Sequence, residues 1–363
     1  MMKTSATPYY ADYLQLDKVL NAQSLRSAEC GKPAHDEMLF IIVHQTFELW
    51  FKQILHELDS VRAMFEAERI DEKNIGVAVS RLLRITEIQK VMISQFQILE
   101  TMTPLDFLEF RDLLSPASGF QSVQFRLLEN KLGLKRQARL HFGQVSYENR
   151  LSEAHQRLVL QSETEPSLFE LVERWLERTP FLAFGDFDFW RSYKQAVFDM
   201  LRHDRDIILS NPTLSPAEKS RELETLQHTE ANFFAIFDEA QYRRLQEQGL
   251  RRLSYRAAQA ALLILLYREQ PILHQPFRLL TALIDIDELM TTWRYRHALM
   301  VQRMIGTKIG TGGSSGHQYL KHTVDAHRVF LDLFNLSTFL IPRSALPELP
   351  DHIKRELGFY YGA

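Results

Sequence analysis

Four groups of residues in this chain have the types and spacing to do chemistry. The first centres on His297, which closes Thr292-Trp293-Arg294-Tyr295-Arg296-His297 and has Met300, Val301 and Met304 just beyond it. An imidazole in such an apolar helix wall can offer a lone pair to a haem iron, or it can be a core histidine satisfied by a hydrogen bond. Non-haem iron needs two histidines and a carboxylate converging on one ion. Positions 293, 294, 300 and 301 are Trp, Arg, Met and Val, so a single axial ligand fits the stretch better. The second group is Phe40, His44, Phe47 and Phe51, which share one face of a helix. The histidine could accept a hydrogen bond from an N–H donor while the rings stack on a flat ligand, and the same spacing also describes an aromatic core stripe. The third is Phe107 and Arg111, four residues apart. Ring plus guanidinium suits an aromatic amino acid, with the arginine on its carboxylate. The alternative, a solvated arginine, is weakened because Phe107, Leu108, Leu114 and Ser115 leave it no acid at helical spacing. Ser118-Gly119 follows in a proline-containing turn, where glycine would let backbone approach a planar cofactor. The fourth is the glycine-rich stretch Gly310-Thr311-Gly312-Gly313-Ser314-Ser315-Gly316. It matches neither a P-loop nor a dinucleotide fingerprint. Either it is a long connector, or it closes over a substrate with the Thr311 hydroxyl offered to an ammonium group.

Helices must position these groups, because apolar residues recur at three- and four-residue spacing almost throughout and no stretch alternates with period two. The pattern predicts one long helix over 36–65, apolar on nearly every side as far as Leu58 and therefore central. A second is predicted over 73–100. A third begins with Thr103 as N-cap, Pro104 in the first turn and Asp106 behind it, and a fourth covers 122–131. Residues 134–251 are more charged and are broken at Thr179-Pro180 and Gly185-Asp186. They read as a smaller, peripheral helical subdomain inserted into a large helical core formed by 1–133 and 252–363. A last long helix is predicted over 319–340. The tail from Pro342, with three prolines, is expected on the surface. The fold class is all-α.

The bulk composition excludes several classes. Lys and Arg number 43 against 46 Asp and Glu, for a net charge of −3, so no basic field favours nucleic acid. The longest apolar run, from Ala260 to Tyr267, is far too short for the roughly 20 residues that span a bilayer. The first residues lack the apolar core of a secretory signal. Cys30 is the only cysteine, so no internal disulfide can form. A cytoplasmic protein without membrane or nucleic-acid partners is expected.

Taken together and in order, these segments resemble the tryptophan 2,3-dioxygenase family. The resemblance extends over nearly the whole chain, through Ser118-Gly119-Phe120-Gln121-Ser122, Asn130-Lys131-Leu132-Gly133, His274-Gln275-Pro276-Phe277 and Asp332-Leu333-Phe334-Asn335-Leu336-Ser337-Thr338. Through Trp175-Leu176-Glu177-Arg178-Thr179-Pro180 the chain is similar to the longer, animal-like members. The resemblance implies haem b, ferrous in the active form, and O2 as co-substrate. Both oxygen atoms would be inserted across the indole C2–C3 bond of L-tryptophan to give N-formyl-L-kynurenine, the first step of the kynurenine pathway. It implies that His297 is the axial iron ligand and that His44 accepts the indole N–H. Phe40 would pack on the indole, and Arg111 would bind the carboxylate. Thr311 would engage the ammonium and carboxylate, and Ser118 and Gly119 would line the haem pocket. Phe107 stands among the substrate-binding residues where some members carry a tyrosine, which shifts recognition onto Arg111 and Thr311. The resemblance also implies a homotetramer, a dimer of dimers. Tyr10, Tyr13 and Leu14, within an N-terminal segment 1–16, would enter the neighbouring subunit's active site.

Overall fold

The computed structural model describes residues 7–68, 70–139, 151–179, 182–184, 187–306, 308 and 316–358. The chain starts with three short helices, α1 (Tyr10–Leu14), α2 (Leu16–Leu20) and α3 (Arg26–Glu29). Two long ones follow, α4 (Glu37–Phe65) and α5 (Glu72–Leu99), then α6 (Pro104–Phe110) and α7 (Val123–Leu132). The middle of the chain forms α8 (Glu153–Thr164), α9 (Leu168–Glu177), α10 (Phe189–Ser210), α11 (Pro216–Phe237) and α12 (Glu239–Glu247). The last part forms α13 (Tyr255–Leu266), α14 (Pro271–Ile305), α15 (Gly316–Ala326), α16 (Leu331–Asn335) and α17 (Asp351–Leu357). One antiparallel pair of two-residue strands, β1 (Ala183–Phe184) and β2 (Phe187–Asp188), interrupts the helices. The class is all-α, as the periodicity predicts.

The frame of the site is the packing of α4 and α14 on α5. Along α5 the buried apolar residues are Ile75, Ala78, Val79, Leu82, Ile85, Ile88, Met92, Phe96 and Leu99, a stripe at three- and four-residue spacing. Burying each large aliphatic side chain contributes about 1.5–3 kcal/mol. On α4 only one side is buried, through Val43, Phe47, Phe51, Ile54 and Leu58. Met38, Ile42 and Leu49 are exposed, so α4 is not enclosed on all sides as its composition predicts. In the middle of the chain, α8 packs on α7, α9 packs on α4 and α13, and α10 pairs with α11.

Local signals set the helix ends near the site. Thr103 and Asp106 form the capping box that starts α6, with the Thr103 N–H donating to Asp106 Oδ2 at 2.9 Å. Ser122 caps α7 by accepting from the Phe125 N–H at 3.3 Å. Gly133 ends α7 with φ +124°, and a Cβ there would lie 2.7 Å from the Phe169 Cβ, so both backbone and space demand glycine.

Two further expectations fail. The helix predicted over 319–340 is broken between α15 and α16. There the Asp287 carboxylate on α14 accepts the Val329 N–H at 2.9 Å and the Phe330 N–H at 3.3 Å, while the Arg294 guanidinium donates to the His327 carbonyl at 3.1 Å. Groups on α14 thus take the amides and the carbonyl that would have continued the helix. The tail is not superficial either. Ile341, Leu349, Ile353 and Leu357 are buried, α17 packs on α14, and the Tyr267 hydroxyl donates to the Pro347 carbonyl at 2.8 Å. The prolines stop regular structure but leave the aliphatic residues between them free to dock.

Candidate active site

A cavity of about 260 Å³ opens between α4, α6, α7, α14 and α15. Phe40, His44, Phe107, Arg111, Ser118, Gly119 and His297, all singled out by type and spacing, line it. Thr311 lies outside the described residues. Tyr10, Tyr13 and Leu14 are exposed on α1 and do not line the cavity of their own chain.

His44 has its tautomer fixed. Its Nδ1 is 2.7 Å from the Phe40 carbonyl one turn earlier on α4. A carbonyl only accepts, so Nδ1 carries the proton and Nε2 keeps its lone pair. Burial pushes the His44 pKa down, against the opposing pull of the Phe40 carbonyl and Glu48, so the ring is neutral near pH 7. Phe40 lies 4.1 Å from the His44 ring and stacks on Phe107 at 5.7 Å between centroids. Arg111 caps the end of α6, one turn past Phe107, with Asp112 Oδ1 3.6 Å from its Nη1.

His297 lies on α14 between Trp293, 5.2 Å away, and Phe96, 6.1 Å away and nearly parallel. Protein atoms surround it, and the surface it retains belongs to the cavity wall. Burial pushes its pKa down to about 4, and proximity to His44 adds to the effect. Neither ring nitrogen has a hydrogen-bond partner among the described residues.

A polar wall that local spacing does not announce completes the cavity. Glu129 on α7 is buried, and its carboxylate accepts from Arg126 Nη1 at 3.1 Å, from Arg294 Nη2 at 2.9 Å and from Arg139 Nη1. His327 Nδ1 lies 3.4 Å from the same carboxylate. Burial alone would raise the Glu129 pKa, but Arg139, the His327 hydrogen bond, Arg126 and Arg294 together hold it well below the usual carboxylate range. Only the Arg126–Glu129 spacing could have signalled this group, since its other members come from distant segments.

The donors fit a haem. A neutral imidazole with no hydrogen-bond partner among the described residues has a lone pair free to bind iron, and aromatic rings suit a flat macrocycle. The buried Arg294 Nε has no hydrogen-bond partner among the described residues, which suits a cofactor that carries carboxylates at its edge. Among the described residues no three His, Cys, Asp or Glu side chains converge as a metal site would need.

A sequence model of the tryptophan 2,3-dioxygenase family matches residues 2–340. The chain belongs to the tryptophan 2,3-dioxygenase family. It is 54% identical over 360 residues to a tryptophan 2,3-dioxygenase of Alteromonas mediterranea, covering 99% of both chains. The enzyme of that name in Bdellovibrio bacteriovorus is 55% identical over 353 residues, covering 97% of this chain and 98% of its own. A tryptophan 2,3-dioxygenase of Dictyostelium discoideum is 51% identical over 352 residues, covering 97% of this chain and 88% of its own. No helix of the described residues in this family member is long and apolar enough to cross a membrane.

Proposed function

We propose that this chain oxidises L-tryptophan with O2 to N-formyl-L-kynurenine, using haem b held by His297. The observation that carries the reading is the pairing of two neutral imidazoles on one aromatic cavity. One has its lone pair fixed by the Phe40 carbonyl, and the other has no hydrogen-bond partner among the described residues. A ferrous haem supplies the activation of O2. The protein's own residues supply orientation and dryness. Arg126 and Arg294 would hold the carboxylate edge of the haem, and Ser118 and Gly119 would line its face.

The substrate carboxylate goes to Arg111, its ammonium to Thr311, its indole ring to Phe40 and Phe107, and its indole N–H to His44 Nε2. The reaction consumes no net proton, because both oxygen atoms end in the product. A neutral acceptor therefore suits the site better than a base. His44 holds the indole N–H in place and returns nothing to it. The apolar walls keep out the water that would otherwise compete.

The exposed α1 segment supports a shared site: Tyr10, Tyr13 and Leu14 enter the neighbouring subunit of a homotetramer, and the protein works in the cytoplasm, a reducing compartment in which its single free thiol, Cys30, stays reduced.

The test is the visible spectrum of haem-loaded protein, reduced and mixed with L-tryptophan in air. A Soret band with growth of the N-formylkynurenine absorbance is the expected result. Haem without product would make the protein a haem-based sensor. Colourless protein would reduce His297 to a core histidine.

A further inference from the structure

The ion pair between Glu100 and Arg296 has no part in the site as described. Arg296 precedes His297 on α14, and its Nη2 lies 3.1 Å from both carboxylate oxygens of Glu100. Glu100 follows the last residue of α5, between Leu99 and Met102, which both line the cavity. Among the described residues it forms the one ion pair that joins the end of α5 to α14.

From Glu100 to Arg111 the chain has little slack. The corner is closed by backbone bonds, from Glu100 N–H to the Phe96 carbonyl at 2.8 Å, and from Thr101 and Met102 N–H to the Ile98 and Leu99 carbonyls at 3.2 Å. The Thr103–Asp106 capping box then starts α6 at once. Seven helical residues carry the chain about 10 Å to Arg111. Along the way Phe107 and the buried Phe110 are both braced on Phe40 of α4, at 5.7 and 5.6 Å between ring centroids. The corner and α6 therefore form a stiff lever, with Glu100 at one end and Arg111 at the other.

We infer that the Glu100–Arg296 pair is a positioning device that sets Arg111 relative to His297, and so fixes where an amino-acid carboxylate is held. The inference rests on the reading of Arg111 as the carboxylate ligand. Apolar packing of α5 on α14 tolerates small sliding, whereas a charged hydrogen bond fixes register. With the two side chains 32% and 19% exposed, solvent screens the pair, so it adds little to stability. Its loss should be felt in geometry, where displacements of under an ångström already matter to reactivity.

The experiment uses the haem-loaded, full-length protein. Glu100→Gln and Arg296→Gln are expected to raise the KM for L-tryptophan about threefold to tenfold. The melting temperature and Soret band should stay unchanged, and the swapped pair Glu100→Arg with Arg296→Glu should recover part of the loss. In an Arg111→Gln background, Glu100→Gln should have no further effect, because the lever then has nothing to place. If Arg111→Gln raises KM and Glu100→Gln does not, the inference alone is overturned. Full additivity of the two overturns it as well, as does a fall in melting temperature and haem content in step with KM, which would make the pair a structural tie. If Arg111→Gln leaves KM unchanged, the Arg111 reading falls and takes the inference with it.

Discussion

At the scale of residues, the site depends on one hydrogen-bonding choice. The Phe40 carbonyl takes the Nδ1 proton of His44, which leaves Nε2 as an acceptor. Replacing His44 by Ala should raise the KM for L-tryptophan about tenfold, the value of one hydrogen bond to a buried donor. Turnover of 1-methyl-tryptophan, which has no indole N–H, should change much less. Equal losses for both substrates, with binding intact, would rule out positioning through the N–H. Acid should act in the same place. The pKa of His44 lies below the ordinary value of 6.5, so the neutral form persists through that value and is lost only at lower pH. Affinity for tryptophan should therefore be flat from pH 8 to about 6.5 and weaken below it, in steady-state rates measured across pH. Stability shifts in the same direction. His44, His297 and His327 are buried with lowered pKa, so the unfolded chain binds more protons over this range, and their contribution is lost as pH falls. Spacing alone exposed Phe40, His44, Phe107 and Arg111 because each pair lies within one helix. The Glu129 cluster stayed hidden because Arg139, Arg294 and His327 reach it from other segments.

At the scale of elements, the caps and the long helices were legible, and the break between α15 and α16 was not. Thr103-Pro104 and Ser122 announce their helices through adjacent residues. The break is caused by Asp287, some forty positions earlier, and periodicity has no access to such a partner. The tail departs from expectation for a related reason: its prolines signal breaks locally, whereas Leu349, Ile353 and Leu357 are buried through contacts with distant parts of the chain. Asp287→Ala would strand two buried amides and cost about 2–4 kcal/mol, seen as a lower urea midpoint. Because α15 and the residue that follows it put Leu320, Thr323 and His327 on the cavity wall, haem retention should fall as well. A urea midpoint equal to that of the parent would mean that the amides find other acceptors. Gly133→Ala should cost about 2 kcal/mol or more from φ strain and crowding against Phe169. An undisturbed midpoint there would show that α7 and α9 can part slightly without loss.

At the scale of the whole molecule, one chain leaves apolar surface unspent. Tyr9, Tyr10, Tyr13 and Leu20 are more than two-thirds exposed on the first two helices and the residue before them, and Met38, Ile42 and Leu49 form an exposed row on α4. A helix as short as α1, with no buried residue of its own, has no stability in isolation. Exposed apolar surface of this extent marks an interaction site, and the proposed assembly would cover it with a second copy. The segment's anchorage points the same way. Gln23 Nε2 donates to Gln45 Oε1 at 2.7 Å, and Gln45 Nε2 donates to the Ala22 carbonyl at 3.0 Å, so the arm is tied to α4 at the residue after His44. The base of the arm is thus fixed beside His44, while Tyr10, Tyr13 and Leu14 take no part in lining the cavity of their own chain. Deleting residues 1–16 should leave folding and haem binding intact, since α1 buries none of its own residues and lines no part of the cavity, yet tryptophan turnover should fall at least tenfold if the arm completes a neighbour's site. The check is a comparison of Soret absorbance, native mass and steady-state rate for the truncated and full-length proteins. Full activity in a truncated protein of unchanged mass would show that each cavity is complete within its own chain.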